Sequence, residues 1–460
     1  MPRPPRVLIT GVGLVTPLGA DRESSWQELL AGERAIRRLL HDEASWPADA
    51  AGAPAIASDR ARQFAESSND SELFWLLHEP AITHAVSASF EAAEHAALDW
   101  QEIEPSRSAC VIGTSKGGVH SWFETLRSRS ILQSRNGDLG TTLRNPEPMT
   151  PCAASASLDE SHRLEELASL FAASQEEFPA ASWIRLAASG PASVVASLLN
   201  LQGGALAPVT ACATGLSSIL RGADLIRHGE CDVVLAGSSD ASISPAVLAS
   251  FRKLGVLADR HEDPSTAVKP FDRNRSGFLI GEGAGIVVLE SEAHATARGA
   301  KPIAEWLTGG MACEASGITQ LQKDPEALTW LIRDVLRRSG LAAGEIDYVS
   351  LHGTATKAND LAEVRAIKAA FGPAAYELSA SSLKGAIGHL LGSAGSVEFA
   401  ATLLAMRDSQ LPPTMNLTDP DDECDLDFVA GKSKPREVTH AMKLSLGFGG
   451  HLVAGVIRKL

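Results

Sequence analysis

An α/β fold is predicted by three features of the sequence. Short β-branched runs (Val7 to Thr10, Cys110 to Ile112, Val233 to Ala236, Ile286 to Leu289, Tyr348 to Leu351) alternate with Ala-rich stretches of helical spacing, the pattern of sheets covered by helices. Two helical stretches stop at natural C-caps, Ser217 to His228 at Gly229 and Pro325 to Ser339 at Gly340. With 460 residues, 44% of them hydrophobic, the chain has ample material for buried cores.

Taken in order, the first apolar run, Val7-Leu8-Ile9, follows Met-Pro-Arg-Pro-Pro-Arg and is too short for the apolar region of a signal peptide. Longer apolar runs are broken by Gly, Ser or charge well before the ~20 residues of a bilayer span, so no membrane role and a cytoplasmic location are expected. Val7 to Gly13 also resembles the opening of a dinucleotide fingerprint, but position 16 is Thr where the third Gly should stand, and a tight strand-to-helix turn explains the two glycines. His78-Glu79 is followed by His84, six positions on with Pro80 between, which fails the four-residue spacing of a zinc-protease helix. Six scattered cysteines (110, 152, 212, 231, 313, 424) contain no Cys-x-x-Cys, so neither a metal site nor a disulfide framework is predicted.

From about 120 to 180, turn signals such as Asn136-Gly137-Asp138 and Asn145-Pro146-Glu147-Pro148 replace strand periodicity, and the segment reads as an insertion with short helices. Gly281 to Gly285 marks close backbone packing. Asp419-Pro420-Asp421-Asp422-Glu423 reads as a solvated acidic turn. A formal charge of -15 argues against a general nucleic-acid binder. An acidic partner would need a local basic patch, for which Arg252-Lys253 and Arg273/Arg275 are candidates.

Three small-residue motifs carry the chemistry: Val209-Thr210-Ala211-Cys212-Ala213-Thr214-Gly215, His352-Gly353-Thr354-Ala355-Thr356, and Lys384 through His389 to Gly392. Cys212 lies between a strand-like segment and a helix beginning near Leu216, where backbone N–H groups and the helix dipole favour thiolate. A lone cysteine is more often buried and inert, and either histidine alone would read as a core residue. Together the three are the parts of a thiolate-based acyl-transfer site.

With Arg6 to Gly13, Pro270-Phe271-Asp272-Arg273, Gly277-Phe278, Gly281 to Gly285 and Gly447-Phe448-Gly449-Gly450, these motifs resemble a β-ketoacyl-acyl-carrier-protein synthase of the type II, elongating kind, a condensing enzyme of the thiolase superfamily. The resemblance covers nearly the whole length. It implies a thiolase-like duplicated fold of five alternating layers, αβαβα, although no repeat is visible in the sequence. On that basis residues 1–300 form a half carrying the nucleophile and the insertion, and residues 301–460 a half carrying both histidines. It also implies a homodimer and, as partner, acyl-carrier protein in its acyl and malonyl forms, with no cofactor or metal.

The implied reaction is decarboxylative Claisen condensation: Cys212 takes an acyl group from a carrier-protein thioester, and His352 and His389 stabilise the enolate formed when malonyl thioester loses carbon dioxide. The pathway is fatty-acid or specialised polyketide-type biosynthesis. Backbone N–H groups of Cys212 and Leu446 are the implied oxyanion hole. The family pattern pairs Lys384 with Glu363, three residues after Asp360 on one helical face, and an inert structural ion pair carries equal weight there.

Departures from the family bear on specificity. Leu444-Ser445-Leu446 stands where Asn-Ser-Phe is usual, which alters the acyl-pocket gate formed by Leu446 and Phe448, and His451-Leu452 replaces Thr-Asn. Asn359 stands where relatives often have glycine, in a turn that Asn can also adopt. Two alternatives stay open: a non-elongating acyltransferase of the superfamily, and a pocket-shaping subunit of a heterodimeric ketosynthase. Such subunits typically lack the nucleophile that this chain retains.

Overall fold

The computed structural model describes residues 4–39, 50–52, 75–123, 182–259, 261–315, 317 and 324–460. All of the expected insertion except 120–123 lies outside the described residues, as does Cys152.

Ten strands form one mixed sheet: β1 (Val7–Val15), β2 (Ser108–Gly113), β3 (Ala205–Leu206), β4 (Val233–Asp240), β5 (Gly283–Ser291), β6 (Ala304–Cys313), β7 (Tyr348–Ser350), β8 (Ser379–Ser381), β9 (His440–Gly447) and β10 (His451–Lys459). Their spatial order is β8-β7-β9-β10-β6-β1-β5-β4-β2-β3. The β-branched runs fall in β1, β2, β4, β5 and β7, at the first residues of β1 and β4 and centrally in β2 and β5. β4 and β5 extend beyond those runs largely through Gly, Ala and Ser, residues with little β preference of their own that pairing and burial hold extended.

One pairing pattern occurs twice. β1 to β5 are arranged so that the first strand pairs antiparallel with the fifth, the fifth antiparallel with the fourth, the fourth parallel with the second and the second parallel with the third. β6 to β10 repeat each of those pairings. The two units join antiparallel where Val7–Ile9 of β1 meets Ala304–Trp306 of β6.

Six helices complete the layers that position the site: α1 (Pro80–His95), α2 (Gly190–Leu198), α3 (Thr214–Arg227), α4 (Glu326–Ser339), α5 (Lys357–Phe371) and α6 (Ala394–Asp408). α1 and α2 cover the outer face of the first unit, and α4, backed by α5, covers the second. α3 and α6 lie between the units and touch strands of both, giving the order helix, sheet, helix, sheet, helix. Sequence chemistry matches position: α4 has one apolar stripe, Leu328, Leu331, Ile332, Val335 and Leu336, and ends at Gly340 with φ 77°. α6 is buried on every side from Ala394 to Met406, with Glu398 its one charged residue in that stretch.

The glycines of the first run lie inside β1 rather than in a turn, which corrects the reason given for them. A Cβ at Gly13 would stand 1.9 Å from the carbonyl oxygen of Ala88, so α1 rests directly on the strand. Gly285 likewise admits α6, since a Cβ there would meet the backbone N of Val397 at 2.6 Å. α3 and α6 cross at Gly215 and Gly395, where added Cβ atoms would meet Ser396 N at 2.4 Å and Leu216 N at 2.8 Å.

Candidate active site

Each central helix begins with a short 3-10 turn entered through a left-handed residue: Ala211 (φ 49°) before Cys212 and α3, and Leu391 (φ 48°) before Gly392 and α6. Thr214 fixes the first turn, its hydroxyl donating to Ala211 O at 2.8 Å and accepting from Thr210 N–H at 2.9 Å. Cys212 therefore sits at the N-terminal end of α3, as expected, and His389 just ahead of the matching turn of α6. His352 follows β7 on a third element. Sheet order and helix crossing bring the three together.

Cys212, His352 and His389 line one cleft of about 810 Å³ with Phe278, Leu446 and Phe448. The cysteine is 7% exposed, and the histidines 3% and 1%. The imidazole centroids are 5.3 Å apart with planes at 81°, so the rings address one small volume from two directions. His389 Nδ1 accepts from Leu391 N–H at 3.3 Å, which makes Nε2 the protonated nitrogen and the donor toward the cleft. Its ring also meets the Phe278 ring edge-on at 4.8 Å.

Burial holds both imidazoles well below their ordinary pKa, with Lys384 the next cause for each, so both are neutral at physiological pH. Cys212 differs from the expected thiolate. Burial pushes its pKa up to about 11 despite the cations Lys116 and Lys384, so the resting side chain is a thiol. Desolvation of the buried sulfur is the largest cause.

The expected pair of Lys384 with Glu363 is not formed. Lys384 Nζ instead contacts Glu398 Oε1 at 2.5 Å and donates to the carbonyl oxygen of His352. Glu363 accepts the backbone N–H of His352 at 2.5 Å and of Gly353 at 2.7 Å, and burial raises its pKa to about 7. The physical reason is geometric: Glu363, on α5, reaches the N–H side of the histidine loop, whereas Glu398, on α6, lies on the carbonyl side with the lysine. Lys443 of β9 joins there too, with Nζ 2.6 Å from Glu398 Oε2. Sequence reasoning missed Glu398 and Lys443. The available signal was one charge in an otherwise apolar helix and one in the buried strand Ala441-Met442-Lys443-Leu444.

Asn359 is not in a left-handed turn: it belongs to the first turn of α5 and donates to Glu363 Oε2 at 3.2 Å, while the positive φ falls on Gly353 and Ala355. Leu446 lines the cleft but is a ladder residue of β9, opposite Leu452 and 3% exposed. Phe448 sits on the loop beyond, its backbone N–H near enough to the Cys212 sulfur to act weakly against the rise in the thiol pKa, and its ring stacked on Phe251 at 6.3 Å. Gly447 keeps the neighbouring donor open, since a Cβ there would come within 3.2 Å of Cys212 N.

Arg275 is no surface cation. It is buried, 3.4 Å from Asp360 and 2.8 Å from Asp421, and Arg273 is engaged by Asp419 and Asp422. The acidic turn is thus an arginine clamp rather than a merely solvated loop. Lys253 is left exposed at the end of the helix Pro245–Lys253, beside the cleft residues Gly255 and Val256. Among the described residues no group of His, Cys, Asp and Glu is arranged to hold a metal ion, and no helix is long and apolar enough to cross a membrane. His84 is buried in α1, with its pKa lowered to about 4 by burial.

Comparison with known proteins fits this geometry. Residues 5–295 match the beta-ketoacyl synthase N-terminal domain and residues 303–418 the beta-ketoacyl synthase C-terminal domain, and the chain belongs to that family. It is a condensing enzyme of the acyltransferase type. Similar proteins include 3-oxoacyl-[acyl-carrier-protein] synthase 2 of Coxiella burnetii, 33% identical over 97% of this chain and 96% of that one. Another is an oxytetracycline polyketide putative beta-ketoacyl synthase of Streptomyces rimosus, 34% identical over 98% of this chain and 96% of that one. Among solved structures, a type II polyketide ketosynthase bound to the hexaketide, in complex with its acyl-carrier protein, superposes with TM-score 0.81 at 26% identity over the full length of both chains. A beta-ketoacyl synthase from Burkholderia phymatum gives 0.79 at 27% identity, over 99% of this chain and 100% of that one.

Proposed function

We propose that the chain joins an acyl group held on Cys212 to malonyl-acyl-carrier protein, releasing carbon dioxide and a 3-oxoacyl-carrier protein two carbons longer, in fatty-acid or polyketide-type biosynthesis. The observation that carries this reading is the convergence of one buried cysteine and two neutral imidazoles on one cleft. In the first half-reaction the sulfur attacks the acyl thioester carbonyl, its proton passes to the departing carrier thiolate, and an acyl-cysteine remains. The tetrahedral oxyanion is held by the backbone N–H groups of Cys212 and Phe448. Phe448 takes the role expected of Leu446 in this reading, because it stands on the loop beside Cys212 whereas Leu446 is a ladder residue of β9. Each such donor contributes about 3 kcal/mol to the transition state.

In the second half-reaction malonyl thioester loses carbon dioxide, and its electron pair moves onto the thioester oxygen as an enolate. Two neutral N–H donors, His352 and His389, receive that charge in a dry pocket. The enolate carbon then attacks the acyl-cysteine carbonyl and expels the Cys212 sulfur. Lys384 acts on the loop that carries His352, Phe448 is the movable gate, and Leu446 is a fixed wall of the acyl pocket. Carrier protein docks at the cleft rim beside Arg252 and Lys253. The division is 1–300 with the nucleophile and 301–460 with the histidines, and the enzyme works as a cytoplasmic homodimer.

The test is to incubate the protein with acyl- and malonyl-carrier proteins and follow the masses. Acylation of the parent but not of Cys212→Ala, followed by a 3-oxoacyl product, is expected. A Cys212 left unmodified across all acyl lengths overturns the reading.

A further inference from the structure

The peptide carrying His352 is gripped from both sides by buried charge. On its N–H side, Glu363 accepts from His352 and Gly353 at 2.5 and 2.7 Å. On its carbonyl side stand two ammonium groups. Lys384 donates to His352 O, and Lys443 Nζ donates to Leu351 O at 3.1 Å and Ser350 O at 3.4 Å, with a further bond to Leu444 O at 2.7 Å. One carboxylate balances both cations: Glu398 Oε1 is 2.5 Å from Lys384 and Oε2 is 2.6 Å from Lys443. All four charged side chains are at most 2% exposed. An accepting carboxyl group at the N–H end and cations at the C=O end follow the peptide dipole, so the arrangement favours one orientation of this backbone.

Lys443 is the informative member. A lysine in a buried strand carries the cost of desolvation, which a structural role could avoid with an apolar residue of the same volume. We propose that Lys443 is a second positioning cation for His352: with Lys384 it shares Glu398 as counter-ion, clamps the carbonyls of residues 350–352, and so fixes the imidazole that meets the malonyl thioester. This rests on the condensing reaction proposed above. The charged and titratable groups facing His352 are then Lys384 from before α6, Glu398 from α6, Lys443 from β9, Glu363 from α5 and His389 across the cleft.

The charges make separable predictions. Counting Lys384, Lys443 and Glu398, the parent carries a net +1; Lys443→Met leaves 0, and Lys443→Met with Glu398→Gln restores +1 through Lys384. Removing the cation eases protonation of His352. In Lys443→Met the His352 midpoint, read by carbon-13 histidine NMR, rises by at least half a unit, and malonyl-carrier-protein decarboxylation falls roughly tenfold to hundredfold, the range for a misplaced catalytic group. Cys212 acylation stays within about twofold of the parent, because Lys443 does not touch the nucleophile. The double variant regains the parental midpoint while its decarboxylation stays low, because the bonds to the carbonyls of residues 350 and 351 are still missing. A purely structural lysine leaves the His352 midpoint unmoved in both variants.

Unchanged titration and decarboxylation in Lys443→Met, or a double variant whose His352 midpoint does not return toward the parental value, overturns the proposal. If Lys443→Met does not fold, Lys443→Gln, which loses the charge but keeps a donor for the carbonyls of residues 350 and 351, is read by the same two assays, and parental titration together with parental decarboxylation in it overturns the proposal. A parent that does not decarboxylate malonyl thioester at all defeats the functional reading instead, and the titrations then judge Lys443 separately.

Discussion

Replacing Glu398 by Gln keeps the shape of the buried network and removes the one charge that both lysines share. In the parent each carboxylate oxygen faces one ammonium, at 2.5 and 2.6 Å. An amide offers a single acceptor, so one lysine meets an NH2 group and two donors face each other. At an effective dielectric of 20, an ion pair at this distance carries roughly 6 kcal/mol of attraction, and several kcal/mol of desolvation per ion offsets it. The net loss on orphaning a buried charge is about 3–5 kcal/mol, and with two cations sharing one partner the upper end applies. That is a large fraction of a folded protein's stability.

The loss also has a sign in pH. Burial already holds Lys443 below its ordinary 10.5, and removal of the carboxylate lowers it further. Between the folded and unfolded values the unfolded chain binds more protons, so stability rises with pH through that window. Urea unfolding of Glu398→Gln at pH 7 and pH 9.5 therefore shows a reduced midpoint at both and a smaller deficit at the higher pH. A variant as stable as the parent at pH 7, or a deficit identical at the two values, refutes the claim that these lysines are charged and share this carboxylate.

Three further outcomes are expected. Iodoacetamide labelling of Cys212, scored against Cys212→Ala, accelerates steadily from pH 7 to 10.5, because the thiol ionises only near 11; a plateau below pH 8 shows a preformed thiolate. Gly215→Ala forces a methyl group to 2.4 Å from Ser396 N and 2.6 Å from Ser238 Oγ, costing about 1–3 kcal/mol of overpacking and separating α3 from α6, so melting temperature and Cys212 acylation fall together. Phe448→Ala broadens the acyl lengths that label Cys212, whereas Leu446→Phe lowers stability by about 1–3 kcal/mol, because Leu446 is locked in β9; denaturation and chain-length profiling separate the two.

What could be read from the chain itself follows a physical division. Cys212, His352 and His389 were legible because each lies in a short motif of small residues whose composition reflects the crowded turn it must make. Sheet class was legible from β-branched runs. The duplication was not, because the two units repeat pairing directions while their side chains differ. The Lys384 partner was misread for a related reason: Asp360 and Glu363 form a conspicuous local pair, whereas Glu398 reaches Lys384 from the neighbouring helix and Lys443 from a distant strand. Asn359 was misplaced by one element boundary, since the left-handed residues come earlier, at Gly353 and Ala355.

The matching turns of α3 and α6 have a consequence for how such a protein can change. The fold builds two equivalent pedestals at helix N-termini and puts a reactive group on only one. At the other stands Gly392, where a Cβ would lie 2.6 Å from both Asp240 Oδ2 and Ser115 N. The first unit thus fills the seat that a second nucleophile would need. Asymmetry of function is held by one unit's side chain lodged against the other unit's backbone, so any side chain at position 392 requires a compensating change at Asp240 or Ser115 in the other unit.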